Sequence, residues 1–446
     1  MAVLDGCGVA GGMFCRDRRR CLWTRWDRIR QARSCSGKEE RPRVKNRPVL
    51  TIIFLTVFID LLGFGMVLPL LPVWAERLTA SKYLIILLGS AYSLAQFVFA
   101  PVWGRLSDAI GRRPVLLLSL GGGGLAYLLM AFAESLGTLY AARFLQGFFT
   151  AGGLAAAPAL IADVTSEEER SRGMGLIGAA FGLGFIFGPA VGAALAQVGL
   201  GAPFLAAAGL SFANFIWAAA MLPETLDRTV AREAHTRFLD LQKLRETLTS
   251  PVLGLLFFLL FINTFAFSNL EQTFTLFVQE RLGLDGRAAG RTTGFLLAYI
   301  GVVAVLVQGF LIRPLSRRFG DERLLLAGIL LTGTGMMLMP VPRGVSGLML
   351  VSTLISFGWG LVNPCTSSLI SRSAGRDRQG GVLGLSQGLA SLARIAGPVW
   401  GGFAFSRIGI AWPYWSGGVI LLMSFAVAMM RLIPSGTAVR GDAGDA

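Results

Sequence analysis

Gly104-Arg105-Leu106-Ser107-Asp108-Ala109-Ile110-Gly111-Arg112-Arg113 and Arg313-Pro314-Leu315-Ser316-Arg317-Arg318-Phe319-Gly320-Asp321-Glu322-Arg323 each stand between two long apolar runs. Ser107 matches Ser316 and Gly111 matches Gly320, and both pairs lie 209 positions apart. A second landmark keeps the offset, because Gly188-Pro189 and Gly397-Pro398 sit inside apolar runs at the same separation. Two unrelated landmarks on one period imply a duplicated unit rather than a string of independent hydrophobic stretches.

Composition names the solvent of that unit. The 446 residues are 54% hydrophobic and only 15% charged, with a mean hydropathy of +0.62. That is more apolar surface than one water-soluble core can hide. About 20 residues of helix cross a bilayer, and the apolar runs reach that length between short charged or Pro/Gly-rich breaks. The fold read from this pattern is all-α and integral to the membrane, with twelve transmembrane helices in two six-helix pseudo-symmetric halves. The spans fall at 49–71, 83–103, 114–133, 137–161, 173–196 and 203–222, then at 251–277, 292–312, 324–339, 347–371, 381–405 and 411–433. Five segments follow: a basic arm at 1–48, expected to be disordered, a bundle at 49–222, a linker at 223–250, a second bundle at 251–433 and a tail at 434–446. The linker holds the sole histidine, His235.

A net charge of +15 would suggest nucleic acid in a soluble protein, but its placement says otherwise. Loops on one face of the expected bundle hold 17 Lys and Arg, and those on the other hold 7. Lys and Arg bias loops to the cytoplasm, so both termini, the linker and the Asp108 turn are expected there. No nucleic-acid partner is expected. The arm alone carries 13 Lys and Arg against 5 acids, together with Cys7, Cys15, Cys21 and Cys35. Their irregular spacing fits neither a zinc site nor a disulfide framework, so they and Cys365 are read as free thiols. The arm lacks an apolar h-region and is not a secretory signal; its arginines fit a transit peptide or, preferably, a tail drawn to anionic lipid. Compact loops and the absence of an Asn-x-Ser/Thr sequon favour a bacterial inner membrane.

Polar residues inside spans are costly and are functional candidates by default. Asp60 lies a third to half of the way along the first span, beside Gly63, Gly65 and Pro69, which loosen the helix. A carboxylate shielded from water favours its protonated form, which suits proton binding and release; a structural hydrogen bond is the plainer reading. In the fourth span Arg143-Phe-Leu-Gln146-Gly147 buries a cation that keeps its proton and needs an acceptor. Asp60 is the nearest such acid in sequence, and the alternative is a helix-holding contact to carbonyls.

The fifth span carries Gly184, Gly188, Pro189 and Gly192, small residues at four-residue spacing around a helix-bending proline. Such a helix is suited to rocking against a neighbour. Glu271 and Arg394 are further embedded charges, facing a cavity between the halves or bridging one another. Gln146, Asn263, Gln272, Asn363 and Gln387 complete the candidate cavity set, with Asn269 and Gln308 weaker; Phe64, Phe265, Phe274, Trp359 and Trp400 are candidate aromatics. Gly384-Leu-Ser386-Gln-Gly388 fits the nucleophile-elbow pattern by chance, since it lies in an apolar span far from the only histidine. No Walker A pattern occurs. The chain is therefore read as no enzyme, without cofactor or metal, driven by a gradient.

Taken together these residues resemble the major facilitator superfamily, and within it the twelve-span drug:proton antiporters that include tetracycline-efflux-like proteins. Gly104 to Arg113 is similar to that family's signature turn, Leu139 to Gly147 to its fourth-span motif, Gly184 to Ala193 to its antiporter motif, with Ala193 in place of a glycine, and Asp60 to Pro72 to its first-span motif. The resemblance covers about 49–433. It implies proton-coupled export of hydrophobic or amphipathic organic compounds by alternating access, by a monomer embedded in lipid. Asp60 and Arg143 would couple protons, while Gly104, Asp108, Gly111, Arg112, Arg113, Gly184, Gly188, Pro189 and Gly192 would gate. It further implies that Asp108 docks on a helix terminus of the other half when the cytoplasmic side is closed. Arg317 replaces that Asp in the second copy, which is therefore not expected to act as an equivalent gate. A facilitator or symporter of an organic solute or anion, with Arg143 or Arg394 holding the charge, is the alternative.

Overall fold

Pro203 and Pro251 open their helices in the first turn, where a missing N–H costs no hydrogen bond. The Thr138 amide donates to Ser135 at 3.1 Å and the Ala288 amide to Asp285 at 2.7 Å, so both side chains cap the helices that follow. Between such signals the computed structural model runs in helices, and it describes residues 46–79, 81–165, 180, 182–184, 186–224, 250–373 and 379–435. The arm, most of the linker with His235, and nearly all of the tail fall outside the described residues.

The first half contains α1 (Asn46–Val67), α2 (Leu71–Ala75), α3 (Lys82–Ile110), α4 (Arg112–Ala131), α5 (Leu136–Val164), α6 (Gly182–Leu195) and α7 (Ala202–Met221). The second contains α8 (Pro251–Leu282), α9 (Gly286–Leu306), α10 (Ile312–Phe319), α11 (Asp321–Leu338), α12 (Val345–Ser373), α13 (Gln379–Arg407) and α14 (Trp412–Ser435). Nine helices among the described residues are long and apolar enough to cross a membrane, counting α9 and α10 as one continuous crossing. The fifth, ninth and eleventh expected spans are met by α6, by α11, which opens on Asp321-Glu322-Arg323, and by the Gly- and Ser-rich α13. The structure is thus consistent with twelve crossings.

Two local readings change. The first span is interrupted at Pro69, so α1 ends at Val67 and α2 resumes two residues after the proline. The repeated segments, expected as loops, are largely helix: 104–110 continue α3, and α10 follows a π-helical stretch at Val307–Leu311. Each helix ends at a glycine with positive φ, Gly111 at 114° and Gly320 at 81°, whose amide bonds the serine carbonyl four residues back at 3.1 and 3.0 Å. That conformation is cheap only for glycine. The matched Ser/Gly pairs are one turn built twice.

Packing repeats the offset as well. In the first half α3 and α4 pack on α5, and α4 packs on α7; in the second α9 and α11 pack on α12, and α11 packs on α14. Two related seams join the halves within one compact unit, α3 against α13 and α6 against α9. Side chains close these seams at the end away from the 104–113 turn. Ser90 donates to the Ile395 carbonyl at 2.9 Å, Thr275 to the Pro69 carbonyl at 3.2 Å and Gln279 to Glu76 at 3.0 Å, and Lys82 pairs with Glu280. Toward the other end the α3–α13 contacts thin while α6 and α9 stay packed: a methyl carbon at Gly388 would stand 3.9 Å from Phe97 and one at Gly104 or Gly384 would meet nothing within 4 Å, whereas one on Gly182 would lie 2.8 Å from Val305.

Candidate functional site

Arg143 reaches the interior on α5, where it is 1% exposed. Its guanidinium carbon lies 5.0 Å from the centroid of the Tyr92 ring, and its Nη1 donates to Gln146 Oε1 at 2.6 Å. The face of an aromatic ring attracts a cation, so Tyr92 partly replaces the water Arg143 has lost. Tyr92 is held there by close helix packing: Gly147, one residue beyond Gln146, leaves room for the Tyr92 backbone against α5. The acceptor found by Arg143 is therefore Gln146, and no ion pair within 4 Å joins it to Asp60, contrary to the sequence expectation. Arg143 Nε and Gln146 Nε2 remain buried without hydrogen-bond partners among the described residues. Such orphaned donors cost about 1–3 kcal/mol each.

Asp60, half-buried on α1, lies in the electrostatic field shared with Tyr92 and Tyr127. Glu271 on α8 feels Arg394 of its own half first and Arg143 of the other half second. Arg394, whose Nη2 donates to Ser391 at 3.2 Å, is in turn coupled to Tyr92 and Glu271. Glu271 and Arg394 do not form the salt bridge considered for them. The structure thus gathers two carboxyl groups, two guanidinium groups and two tyrosines, drawn from α1, α3, α4, α5, α8 and α13, about the meeting of the halves. Tyr92 and Tyr127 were not singled out from sequence, because nothing local distinguishes them from packing aromatics.

The remaining cavity candidates scatter. Asn263 is 2% exposed and donates to the Leu259 carbonyl of its own helix at 2.8 Å, and Asn269 donates to the Pro413 carbonyl at 2.7 Å. Both serve the interior of the second half. Gln272 packs over Gly89 in the cross-half seam. Asn363 and Gln387 are exposed. Phe64 stands 5.5 Å from Tyr92, and Trp359 stacks on Phe267 at 4.1 Å. Phe274 is core, while Phe265 and Trp400 line an apolar groove of about 500 Å³ with Tyr83, Ala396, Val399 and Phe403.

The glycines of α6 face α1. A methyl carbon on Gly188 would lie 2.7 Å from the Gly65 Cα, and one on Gly184 2.7 Å from Leu61 Cβ. Pro189 and Ala193 turn toward α9, where a methyl carbon on Gly294 would approach within 2.9 Å of the Pro189 carbonyl. One short helix therefore touches its own half on one side and the other half on the next. Sequence reasoning missed its counterpart on α9, although Gly286, Gly290 and Gly294 repeat at four-residue spacing and approach Val73, Leu70 and Ala193.

At the 104–113 turn, Asp108 pairs with Arg112 and its side chain is 68% exposed. Arg112 also donates to Ser107 at 3.2 Å and to Asp163 at 3.3 Å, and its amide donates to Glu224 at 3.0 Å. Arg113 donates to the Ala219 carbonyl at 2.5 Å. All these partners precede the second half, and Asp108 is not docked on the second half in this state; the resemblance implies that docking for the closed state alone. Glu224 was not anticipated, since its place beside Gly111 follows only from the return of α7.

Two halves of one helical plan, seamed at one end around a shared cluster of intramembrane charges, define a membrane transporter. The comparisons with known proteins agree: residues 53–398 and 292–444 match the Major Facilitator Superfamily. The chain belongs to that superfamily and is a multi-pass integral membrane protein. It is 33% identical over 380 residues to the class C tetracycline resistance protein of Escherichia coli, covering 83% of this chain and 94% of that one. It is 27% identical over 391 residues to multidrug resistance protein 2 of Bacillus subtilis (strain 168), covering 86% and 96%. The crystal structure of the human organic anion transporter MFSD10 (TETRAN) is similar over 87% of this chain and 100% of that one, with a TM-score of 0.64 and 27% identity.

Proposed function

We propose that the protein exports hydrophobic or amphipathic organic compounds in exchange for protons, the halves rocking about the intramembrane charged cluster. The observation that carries this reading is the set Asp60, Tyr92 and Arg143 inside the first half, with two buried donors left open. In another state an ionised Asp60 or an anionic substrate group accepts from those donors in charge-assisted hydrogen bonds, about twice as strong as the bonds a protonated Asp60 accepts; that difference is a coupling mechanism. Gly184, Gly188, Pro189 and Gly192 supply the bare helix surface along which α6 moves against α1 and α9. Gly104, Asp108, Gly111, Arg112 and Arg113 form the gate at the cytoplasmic end, by the excess of Lys and Arg on that face. The relatives named for tetracycline and multidrug resistance support the substrate class and a bacterial inner membrane.

The test uses everted membrane vesicles with an acid interior, supplied with a lipophilic dye or tetracycline. Export predicts dye accumulation, proton release from the lumen on substrate addition, and loss of both in Asp60→Asn. Vesicles that accumulate nothing and an Asp60→Asn protein indistinguishable from wild type would sink the reading.

One observation favours a second reading. Arg143 and Arg394 both approach the cluster, and the likeness to the human organic anion transporter extends over most of the chain. A transporter of organic anions would show saturable anion uptake indifferent to pH and to uncouplers.

A further inference from the structure

The two turns are alike in backbone and opposite in charge. In the first half Arg112 gathers Ser107, Asp108 and Asp163. Moving each residue by 209 positions gives Asp321, Ser316, Arg317 and Arg372. In the second half Asp321 gathers the Ser316 hydroxyl, the Ser368 hydroxyl at 2.7 Å and Arg372 at 3.1 Å. The central cation of one copy is the central anion of the other. The acid at 163 has become the base at 372, and the acid at 108 has become the base at 317. The serine and the glycine turn are kept, and the charges at these three positions are inverted.

The pseudo-two-fold axis gives this inversion a use. When the halves close at this end, an axis exchanging 108 with 317 and 163 with 372 turns any contact of 108 with 372 into a contact of 317 with 163. A faithful duplicate would carry acids at all four positions, and closure would press acid on acid. The inverted copy makes both contacts complementary. The groups are already presented: the Asp108 and Arg372 side chains are 68% and 70% exposed, and Arg317 is exposed.

We propose that the second turn is a charge-inverted gate, and that closure of the cytoplasmic end forms two symmetry-related ion pairs, Asp108 with Arg372 and Arg317 with Asp163. This rests on the alternating-access reading and adds Asp163, Arg317 and Arg372 to the gate. In the structure described above, three of these groups are held within their own halves, Asp108 and Asp163 on Arg112 and Arg372 on Asp321. Closure then moves Asp108, Asp163 and Arg372 to new partners, while Arg112 keeps the Ser107 hydroxyl and Asp321 keeps those of Ser316 and Ser368.

The test begins from a protein whose five cysteines are replaced. In it Asp163→Cys with Arg317→Cys, and separately Asp108→Cys with Arg372→Cys, are exposed in membranes to a short bifunctional thiol reagent. Both pairs are expected to cross-link, and neither Asp163→Cys with Arg343→Cys nor Asp108→Cys with Arg343→Cys is. In transport, Arg317→Asp is expected to slow ethidium or tetracycline export at least tenfold. Adding Asp163→Arg to Arg317→Asp is expected to exceed the Asp163→Arg single variant at least threefold, with equal protein in the membrane. Absence of both cross-links in membranes where transport is normal, or a double variant no better than Asp163→Arg alone, overturns the gate and leaves the exporter reading standing. Cross-linking needs no substrate, so a failure of the exporter reading leaves the gate measurable.

Discussion

Arg143 shows how a single side chain is fixed by what surrounds it. Its charge is permanent, its exposure is 1%, and the stabilising groups are an aromatic face and one amide oxygen. Arg143→Lys keeps the charge but loses the planar donor fork and the ring contact, a loss of about 1 kcal/mol or more. Energised transport is expected to fall about tenfold, which a comparison of initial rates in vesicles checks. Asp60→Asn is expected to remove gradient-driven transport while leaving the amount of inserted protein and substrate exchange intact, because amide and acid are the same size. Both residues were legible in sequence as polar groups in apolar runs. Their partners were not, since Gln146 shares the helix with Arg143 while Tyr92 arrives from α3, and sequence offered Asp60 only by proximity.

At the scale of the helix, glycines of similar appearance carry different burdens. Gly188 lies where a methyl carbon would sit 2.7 Å from the backbone of Gly65, and helix backbone cannot move aside cheaply. Gly188→Val is expected to overpack α1 against α6 at a cost of about 1–3 kcal/mol. Thermal denaturation in detergent should show it as a lowered midpoint and a reduced folded yield. Gly104 faces nothing within 4 Å and lies in the last turns of α3. Gly104→Ala is expected to leave stability unchanged or to raise it by about 0.5–1 kcal/mol through the helix preference of alanine. A lowered transport rate in that stable variant would place the burden of Gly104 in the closed state. The glycine pattern of α6 could be read from spacing alone, and so could the one on α9. Which neighbour each stripe meets could not.

For the whole molecule, the balance between states rests on the seams. Lys82–Glu280 is exposed, 40% and 29% at the side chains, and such pairs contribute about 0–1 kcal/mol. Lys82→Ala is expected to shift the population of the open end by no more than about fivefold. Labelling of a cysteine placed at Gly104 by a membrane-impermeant maleimide measures that shift, and a larger change would mean that the pair is the principal lock. The 17 to 7 division of Lys and Arg predicts the orientation. Reporter fusions after residues 344 and 435 are expected to place them on opposite sides of the membrane.

Sequence by itself determined the membrane, the duplication and its 209-residue period, because hydropathy and repeated turn chemistry are local properties carried by neighbours in the chain. It also marked the costly residues, since an acid or an arginine in an apolar run stands out whatever it touches. Only the tertiary structure decided their partners. Arg112 reaches Asp163 across 51 positions and Glu224 across 112, and distances of that kind are set by how helices return. For the same reason Arg317 alone read as the loss of an equivalent gate. With Asp321 folded onto Arg372 at the same turn, the copy shows its charges reversed, because the sign of a charge gains its meaning from the group it faces.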